Sequence, residues 1–249
     1  MMKSEVNDGD RKQCSRESMH CYIVRPMQIQ DTHQATLIDH EAFPIQWPAI
    51  PFKRELSNSR SHYLVACREP EDSCDDAQSK TCEHDIEEML DRPTHVAKQL
   101  LGNEPLLDDE TSINRSVVGY VALCMMADEA HITSIAVQEA HRRRGVGELL
   151  VISAIDLAAS LKAELVTLEV RASNYAAQTL YEKYGFCRVG ERRRYYSDNK
   201  EDAIIMTTDT IASASYQKRF LELKQAYMLG RRETITLGPK QGHSEPHVS

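Results

Sequence analysis

The sequence predicts an α/β (α+β) fold in which a mixed central β-sheet is flanked by helices, and three observations support this prediction. Short runs rich in β-branched and aromatic residues alternate with longer stretches whose apolar residues recur at helical spacing. Hydrophobic residues make up 41% and charged residues 27% of the 249 residues, as in ordinary globular proteins. The longest nearly uninterrupted apolar run, 117–127, is far too short to span a bilayer. Membrane-spanning and collagen-like chains are therefore excluded.

The cysteines and the N-terminal residues predict a protein of the reducing cytoplasm. The seven cysteines are odd in number and irregularly spaced, which is untypical of a secreted disulfide scaffold. The N-terminal residues are polar and lack the apolar stretch of a secretory signal. We therefore expect a cytoplasmic location.

The net charge of −8 is concentrated in one segment. Residues 68–115 contain 14 acidic and 5 basic residues, so the remainder of the chain is nearly neutral. Because a structureless connection of this length is unusual inside a compact domain, we interpret 68–116 as an acidic, mobile insertion in a hairpin connection. The acidic balance argues against broad nucleic-acid binding, and we expect neither nucleic acid nor a membrane as a direct partner.

The N-terminal half is interpreted as a tail followed by strands and helices. Residues 1–20 are polar and without periodicity, which predicts a disordered tail. Prolines after residue 43 separate two helices, since proline cannot continue a helix. The predicted elements are a strand at 21–25, helices at 29–43 and 51–58, a strand at 62–67, and a hairpin of strands 117–126 and 131–137 turning at 127–129.

The C-terminal half is predicted to continue the mixed sheet and to end in an appendage. Apolar residues at helical spacing after Gly147 predict a helix with a broad apolar face. The further predicted elements are strands at 164–170, 186–196 and 203–208 and a helix at 175–184 closed by Gly185. Residues 21–209 therefore form the predicted domain, and 210–249 form an appendage with one helix around 220–227.

A basic, glycine-containing loop joins a predicted strand to a predicted helix. Arg142–Arg144 come directly before Gly145 and Gly147. Glycine lets the backbone approach a ligand and adopt positive φ, and the unpaired N–H groups of a first helical turn attract anions. The loop therefore predicts a pyrophosphate site, although the loop taken alone is equally well explained as a solvated basic turn.

From residue 135 onward the chain contains, in order, the blocks Ile135-Ala-Val137, Arg142-Arg-Arg-Gly-Val-Gly147, Leu168-Glu-Val-Arg-Ala-Ser-Asn174, Leu180-Tyr-Glu-Lys-Tyr-Gly-Phe186, Arg193-Arg-Tyr-Tyr196 and Glu201-Asp-Ala-Ile-Ile-Met206. These blocks resemble the GCN5-related N-acetyltransferase (GNAT) superfamily. Within it, the chain is similar to the bacterial ribosomal-protein-alanine N-acetyltransferases (RimI type), which acetylate the N-terminal amine of a small-subunit ribosomal protein. The N-terminal part matches more loosely, through Arg25-Pro26 and 41–44. The acidic insertion and the appendage lie outside the resemblance.

The resemblance implies a GNAT fold, in which acetyl-CoA binds as a cosubstrate where two parallel strands separate. It implies that the main chain of Ile135, Ala136 and Val137 binds the pantetheine and that Asn174 hydrogen-bonds to the cofactor, which is compatible with a helix N-cap role for Asn174. The residues implied for the pyrophosphate are Arg143, Arg144, Gly145, Val146, Gly147 and Glu148. Family members often carry a basic or neutral residue in place of Glu148. Because an inward carboxylate would repel phosphate, we expect its side chain to point to solvent.

Glu169 and Tyr181 form the predicted catalytic pair. Alternation places Glu169 on the strand face opposite Leu168 and Val170, and the pattern alone favours a solvated glutamate. The pattern around Tyr181 favours a core aromatic residue. The resemblance implies instead that Glu169 accepts the proton of the attacking amine and that Tyr181 protonates the departing thiolate. Attack is then direct, in a ternary complex without a covalent acyl-enzyme.

The predicted function is that of an acyltransferase, an acetyl-CoA-dependent peptide N-α-acetyltransferase. The implied acceptor is the N-terminal alanine of a small-subunit ribosomal protein, held between the 43–47 loop and the hairpin at 193–196. Two alternatives stay open. One is an acetyltransferase for another protein or small-molecule amine, and the other is a non-catalytic acetyl-CoA-binding module whose acidic arm recruits a partner.

The cysteine and histidine pattern predicts no metal site. Cys67, Cys74, Cys82 and His84 are too widely spaced and too few for a zinc site. His131, at the start of a predicted strand, is interpreted as a structural residue.

Overall fold

The computed structural model describes residues 22–43, 50–68 and 116–236, with side chains as far as residue 230. The predicted tail at 1–20 lies outside the described residues. So do nearly all of the acidic insertion, most of the 43–47 loop and the last thirteen residues.

Seven strands form one mixed sheet in the order β1-β2-β3-β4-β5-β7-β6. The strands are β1 Tyr22–Pro26, β2 Ser61–Arg68, β3 Ser116–Met126, β4 Glu129–Val137, β5 Leu165–Arg171, β6 Phe186–Arg192 and β7 Ala203–Thr208. Every neighbouring pair is antiparallel except β4 and β5, which are parallel. The predicted mixed sheet is therefore confirmed.

In the described part of the chain, five α-helices cover the two faces of this sheet. They are α1 Thr32–Ala42, α2 Phe52–Glu55, α3 Val146–Ser160, α4 Tyr175–Lys183 and α5 Ala214–Thr236. Helices α1 and α2 pack on one face, around Phe52, Tyr63 and Tyr120, and the other three helices share the larger core on the opposite face. Among the described helices, none combines the length and the apolar character needed to cross a bilayer.

The predicted strand 186–196 is too long, because the chain leaves the sheet after Arg192. Arg194 adopts φ of +53° and donates its backbone N–H to the Asp202 carboxylate at 2.7 Å. A left-handed residue cannot continue a ladder. Residues 193–196 therefore form a turn that projects Tyr195 and Tyr196 from the end of the β6–β7 hairpin.

The C-terminal helix α5 packs into the main core, although the sequence analysis places it in an appendage. Tyr216, Phe220 and Tyr227 are buried in the same cluster as α3. The Lys224 ammonium donates to the Asp156 carboxylate of α3 at 2.7 Å, and both side chains are largely buried. The sequence blocks that resemble the family end before α5. They therefore could not predict that this helix packs into the core.

This packing predicts that Phe220→Ala destabilises the whole domain. Phe220 contacts Tyr184 and Tyr216 in the core, so its truncation should lower the free energy of unfolding by about 3 kcal/mol or more. The neighbouring Leu221 is partly exposed, and Leu221→Ala should cost about 1 kcal/mol or less. Urea unfolding followed by circular dichroism measures both. Equal costs for the two variants would show that α5 does not dock as described.

Candidate active site

The parallel strands β4 and β5 pair for only four residues and then separate. Their register runs from Glu129 opposite Leu165 to Ile132 opposite Leu168. Beyond this point β4 continues to Val137 paired only with β3, and β5 continues paired only with β7. The described sheet therefore contains one V-shaped opening, which we call the β4–β5 fork.

A β-bulge explains why the fork opens at this position. Ala122 of β3 lies opposite Ser134, whereas the next residue, Leu123, lies opposite Ile132, so Thr133 is an extra residue in β4. A bulge bends its strand and increases the local twist. The bend turns the end of β4 away from β5 and leaves one edge of residues 135–137 without a strand partner in the described sheet.

The loop after β4 has the backbone geometry expected of an anion site. Gly145 adopts φ of +78° directly before α3, and Arg143 is also left-handed, at +61°. Arg143 and Arg144 are exposed, whereas Arg142 turns back and donates to the carbonyl of Val137 at 3.0 Å. The loop therefore combines the first-turn N–H groups of α3 with two exposed arginine side chains.

The side chain of Glu148 does not point to solvent as expected, because two neighbouring side chains donate hydrogen bonds to it. Its Oε1 atom accepts hydrogen bonds from the Tyr184 hydroxyl at 2.6 Å and from the Lys183 ammonium at 2.5 Å. Burial, together with this carboxylate, raises the pKa of the Tyr184 phenol. The carboxylate is thus held against the end of α4, where an ammonium group and a hydroxyl compensate its charge.

Asn174 is the N-cap of α4, as its residue type predicts. Its Oδ1 atom accepts from the backbone N–H of Ala177 at 3.2 Å. Within the described chain its amide nitrogen makes no hydrogen bond, so that group keeps two donors for a ligand.

Glu169 is the first residue of β5 beyond the paired part of the fork, and its side chain is only 8% exposed. Its Oε2 atom lies 2.6 Å from Nε2 of His131, and its Oε1 atom lies 3.1 Å from Nη2 of Arg192. Glu169 therefore belongs to a polar cluster and is not a solvated strand residue. Neither partner was predictable from the sequence, because these contacts depend on the register of β4 against β5 and on the β6–β7 hairpin.

Tyr181 is buried on the other side of β5. Its ring packs against Phe186, with centroids 5.7 Å apart, within the core that contains α3. Burial raises the pKa of its phenol. No hydrogen bond joins its hydroxyl to another described residue, and the structure does not bring Tyr181 into contact with Glu169.

A buried hydrogen-bond chain connects α1 to β4 close to the bulge. The Tyr120 hydroxyl donates to Asp39 at 2.5 Å and lies 2.9 Å from the Ser134 hydroxyl. Tyrosine has a single hydroxyl proton, so Ser134 must be the donor in the second bond. The oxygen lone pairs of Ser134 are thereby left as acceptors on the face of β4 that also carries His131.

Tyr195 and Tyr196 border Glu169 from the β6–β7 turn. Their rings meet edge to face at 5.2 Å, and the Arg171 guanidinium lies 3.9 Å above the Tyr196 ring. Burial raises the pKa of both phenols, to about 12 for Tyr196. The turn therefore presents two neutral aromatic residues next to a carboxylate.

Arg171 anchors this turn to the end of β5. It donates to Asp198 at 2.7 Å and to Glu201 at 3.2 Å, and Glu201 also accepts the backbone N–H of Ser173 at 2.8 Å. Hydrogen bonds from Ser173, with further ones from Asn199 and Arg171, lower the pKa of Glu201 to about 2.

The described residues contain no group of three histidine, cysteine or acidic side chains arranged to hold a metal ion. Within them, Cys67, Cys124 and Cys187 form no disulfide with one another. Cys74, Cys82 and His84 lie outside the described residues.

The sequence matches known acetyltransferases. The model of the acetyltransferase (GNAT) family matches residues 74–186. A Bacillus subtilis protein assigned as a [ribosomal protein bS18]-alanine N-acetyltransferase is 30% identical over 184 residues, which cover 74% of this chain and 92% of that protein. The Escherichia coli K12 [ribosomal protein bS18]-alanine N-acetyltransferase is 38% identical over 105 residues, or 41% of this chain and 71% of that enzyme.

The fold also matches solved acetyltransferase structures. The crystal structure of the Escherichia coli ribosomal-protein-S18-alanine N-acetyltransferase superposes with a TM-score of 0.53 at 23% identity. The match covers 78% of this chain and 97% of that one. At this identity the likeness concerns the fold, and it agrees with the predicted architecture.

The low pKa of Glu201 predicts a pH-dependent contribution to stability. A carboxyl group whose pKa is depressed by folding stabilises the folded state at every pH above its pKa in the unfolded chain, about 4.3. This contribution is lost as the pH falls toward the folded-state pKa of about 2. The difference in unfolding free energy between wild type and Glu201→Gln should therefore be constant above about pH 5 and shrink below it. Urea titrations from neutral to acidic pH measure this difference. Glu182→Gln, exposed on α4, is the control, and an equal trend in that variant would contradict the assignment.

Proposed function

Because the chain belongs to the acetyltransferase (GNAT) family and is an N-acetyltransferase of that family, we propose that it acetylates the α-amine of a protein N-terminus. The proposed acceptor is the N-terminal alanine of a small-subunit ribosomal protein. The observation that carries the proposal is the β4–β5 fork, with Glu169 at its apex beside the two tyrosines of the β6–β7 turn. The names of the Bacillus subtilis and Escherichia coli relatives support this acceptor.

The fork and the following loop fit acetyl-CoA, the acetyl donor of this family. The unpaired edge of Ile135–Val137 offers backbone donors and acceptors to the pantetheine amides. The amide nitrogen of Asn174 is a further donor. At Gly147 the backbone is ordinary and an added Cβ would lie 3.9 Å from Val137, so the protein itself does not demand glycine there. Close approach of a ligand explains the glycine.

The pyrophosphate would meet the N-terminus of α3 and the cations around it. We assign this role to Arg143, Arg144, Gly145, Val146, Gly147 and Glu148, as the family resemblance implies. Glu148 contributes its backbone, because Lys183 and Tyr184 hold its carboxylate. This arrangement removes the repulsion that an unpaired carboxylate would exert on a phosphate.

Glu169 would accept the proton of the acceptor amine. A peptide α-amine has a pKa of about 8, so only a modest base is needed to expose its lone pair. Arg192 is 55% exposed and can move aside when the peptide enters, whereas His131 lies beside Glu169 on the adjacent strand. We therefore assign His131 to holding the carboxylate in place, with the proton passing directly or through one water molecule.

Tyr181 would protonate the departing thiolate. Its raised pKa keeps the phenol protonated until the thioester breaks. A thiol has an ordinary pKa of about 8.5, and the buried environment that disfavours phenolate also disfavours thiolate. Proton transfer from Tyr181 therefore accompanies direct attack of the amine, without an acyl-enzyme.

The acceptor peptide would enter beside the β6–β7 turn, and the 43–47 loop that the sequence predicts as its other wall lies mostly outside the described residues. Tyr195 and Tyr196 are held at this entrance by the contacts of Arg171 and Asp202, so they form a preorganised wall. A ribosomal-protein acceptor and a cytoplasmic location fit together, and neither nucleic acid nor a membrane takes part in this proposal.

The proposal is tested by measuring acetyl transfer from acetyl-CoA to two matched peptides. Transfer is detected as the release of free thiol. One peptide carries the N-terminal alanine sequence of the ribosomal protein, and the other is the same peptide with a blocked amine and one internal lysine. We expect turnover of the first alone. Turnover of the lysine peptide alone would replace the α-amine by a side-chain amine. Binding of acetyl-CoA without turnover of either would favour a different protein amine or a small-molecule acceptor.

The assignment of Glu169 predicts a defect in catalysis and not in cofactor binding. Glu169→Gln keeps the size of the side chain but removes the proton acceptor, so kcat should fall about 10²- to 10⁴-fold while the Kd of acetyl-CoA is unchanged. Glu164→Gln, exposed just before β5, is the matched control and should behave as wild type. Near-wild-type turnover of Glu169→Gln would refute the assignment.

A further inference from the structure

Helix α5 contacts the loop that follows β4, although it lies beyond residues 74–186, which match the family model. The Tyr227 hydroxyl donates to the carbonyl oxygen of Gly145 at 3.2 Å. The Tyr227 ring also covers the α-carbon of this glycine, so that an added Cβ would lie only 3.3 Å from it. A residue far along the chain therefore touches the backbone at the start of α3.

The carbonyl of Gly145 is a sensitive point in this loop because it shares a peptide plane with the N–H of Val146. In a planar trans peptide the C=O and the N–H point in opposite directions. The carbonyl accepts the N–H of Leu149 at 3.0 Å and the Tyr227 hydroxyl from the helix side. Because these two bonds fix the orientation of the carbonyl, they also fix the N–H of Val146 in the opposite direction. That N–H points away from α3, into the loop where the pyrophosphate is proposed to bind.

Contacts elsewhere on α5 hold Tyr227 in position independently of the loop. Lys224, one turn earlier, pairs with Asp156 of α3 at 2.7 Å. Nearer the start of the helix, the Tyr216 hydroxyl donates to the carbonyl of Tyr184 at 2.9 Å. Tyr227 is itself buried. The helix is therefore a fixed support against which a glycine loop, with its large conformational freedom, can be held.

We propose that Tyr227 is a positioning residue for acetyl-CoA and that α5 belongs to the cofactor-binding unit of the enzyme. Tyr227 touches no cofactor atom in this assignment. It preorganises the donor groups of the loop and so reduces the ordering cost that the ligand would otherwise meet on binding. The inference rests on the proposed function only in placing the pyrophosphate at this loop, and it is independent of the identity of the acceptor amine.

The test compares Tyr227→Phe with Tyr216→Phe. Each variant removes one hydroxyl from a buried tyrosine of the same helix and keeps the ring, but only Tyr227 contacts the Gly145 loop. Binding of acetyl-CoA is measured by calorimetry, KM and kcat are measured with the alanine peptide, and thermal unfolding reports stability. We expect Tyr227→Phe to raise the Kd and the KM of acetyl-CoA about 2- to 10-fold, the range that corresponds to one hydrogen bond, with kcat unchanged.

The control separates positioning from general stabilisation. Tyr216→Phe should lower the unfolding temperature about as much as Tyr227→Phe but leave the Kd of acetyl-CoA unchanged. An unchanged Kd in Tyr227→Phe, or an equal rise in both variants, would overturn the proposal. If wild type binds acetyl-CoA but does not acetylate the peptide, the proposed acceptor fails alone, and the two Kd values still decide the role of Tyr227. If wild type does not bind acetyl-CoA, both proposals fail.

Discussion

The early end of pairing between β4 and β5 is the constraint on which the rest of the site depends. Thr133 is the extra residue of a bulge, and one residue inserted into a ladder is enough to bend β4 away from its parallel neighbour. The bend leaves unpaired the strand edge where acetyl-CoA is proposed to bind, and Glu169 lies at the apex of the opening. Pairing with β5 places β7, and with it the tyrosine-bearing turn, on the other side of that opening.

The sheet separates two kinds of chemistry. The face covered by α1 carries polar groups near the fork, including His131, Glu169 and the chain that links Asp39 to Ser134. The face covered by α3 is an apolar core in which Tyr181 is the proposed acid. The proposed reaction needs both environments. The amine loses a proton beside polar groups, and the thiolate gains a proton in an apolar environment. In the proposed mechanism, the fork is where the bound substrates would meet groups from both faces.

Local sequence patterns could predict much of this arrangement, because they act over a few residues. Alternation along β5 placed Glu169 and Leu168 on opposite faces of the strand. The run from Arg142 to Gly147 indicated an anion-binding loop. The fold followed from such patterns together with the family resemblance. The position of the Glu148 carboxylate, the partners of Glu169 and the end of β6 were not predictable in this way. The first two depend on contacts between distant segments, such as the bond between Glu148 and Tyr184, which spans 36 residues. The end of β6 depends on the left-handed φ of Arg194, which few residues other than glycine adopt, and on the bond of its N–H to the nearby Asp202.

The long separation between Gly145 and Tyr227 has a consequence for how the protein is made. A chain leaves the ribosome from its N-terminus, and compact units begin to form before synthesis ends. The last strand of the sheet, β7, ends at Thr208, only a few residues before α5 begins at Ala214, whereas Gly145 is made 82 residues before Tyr227. Contacts this distant in sequence close late and slowly. A newly made chain would thus complete its sheet and acquire the contact between Gly145 and Tyr227 at nearly the same stage, when its last described helix has been made.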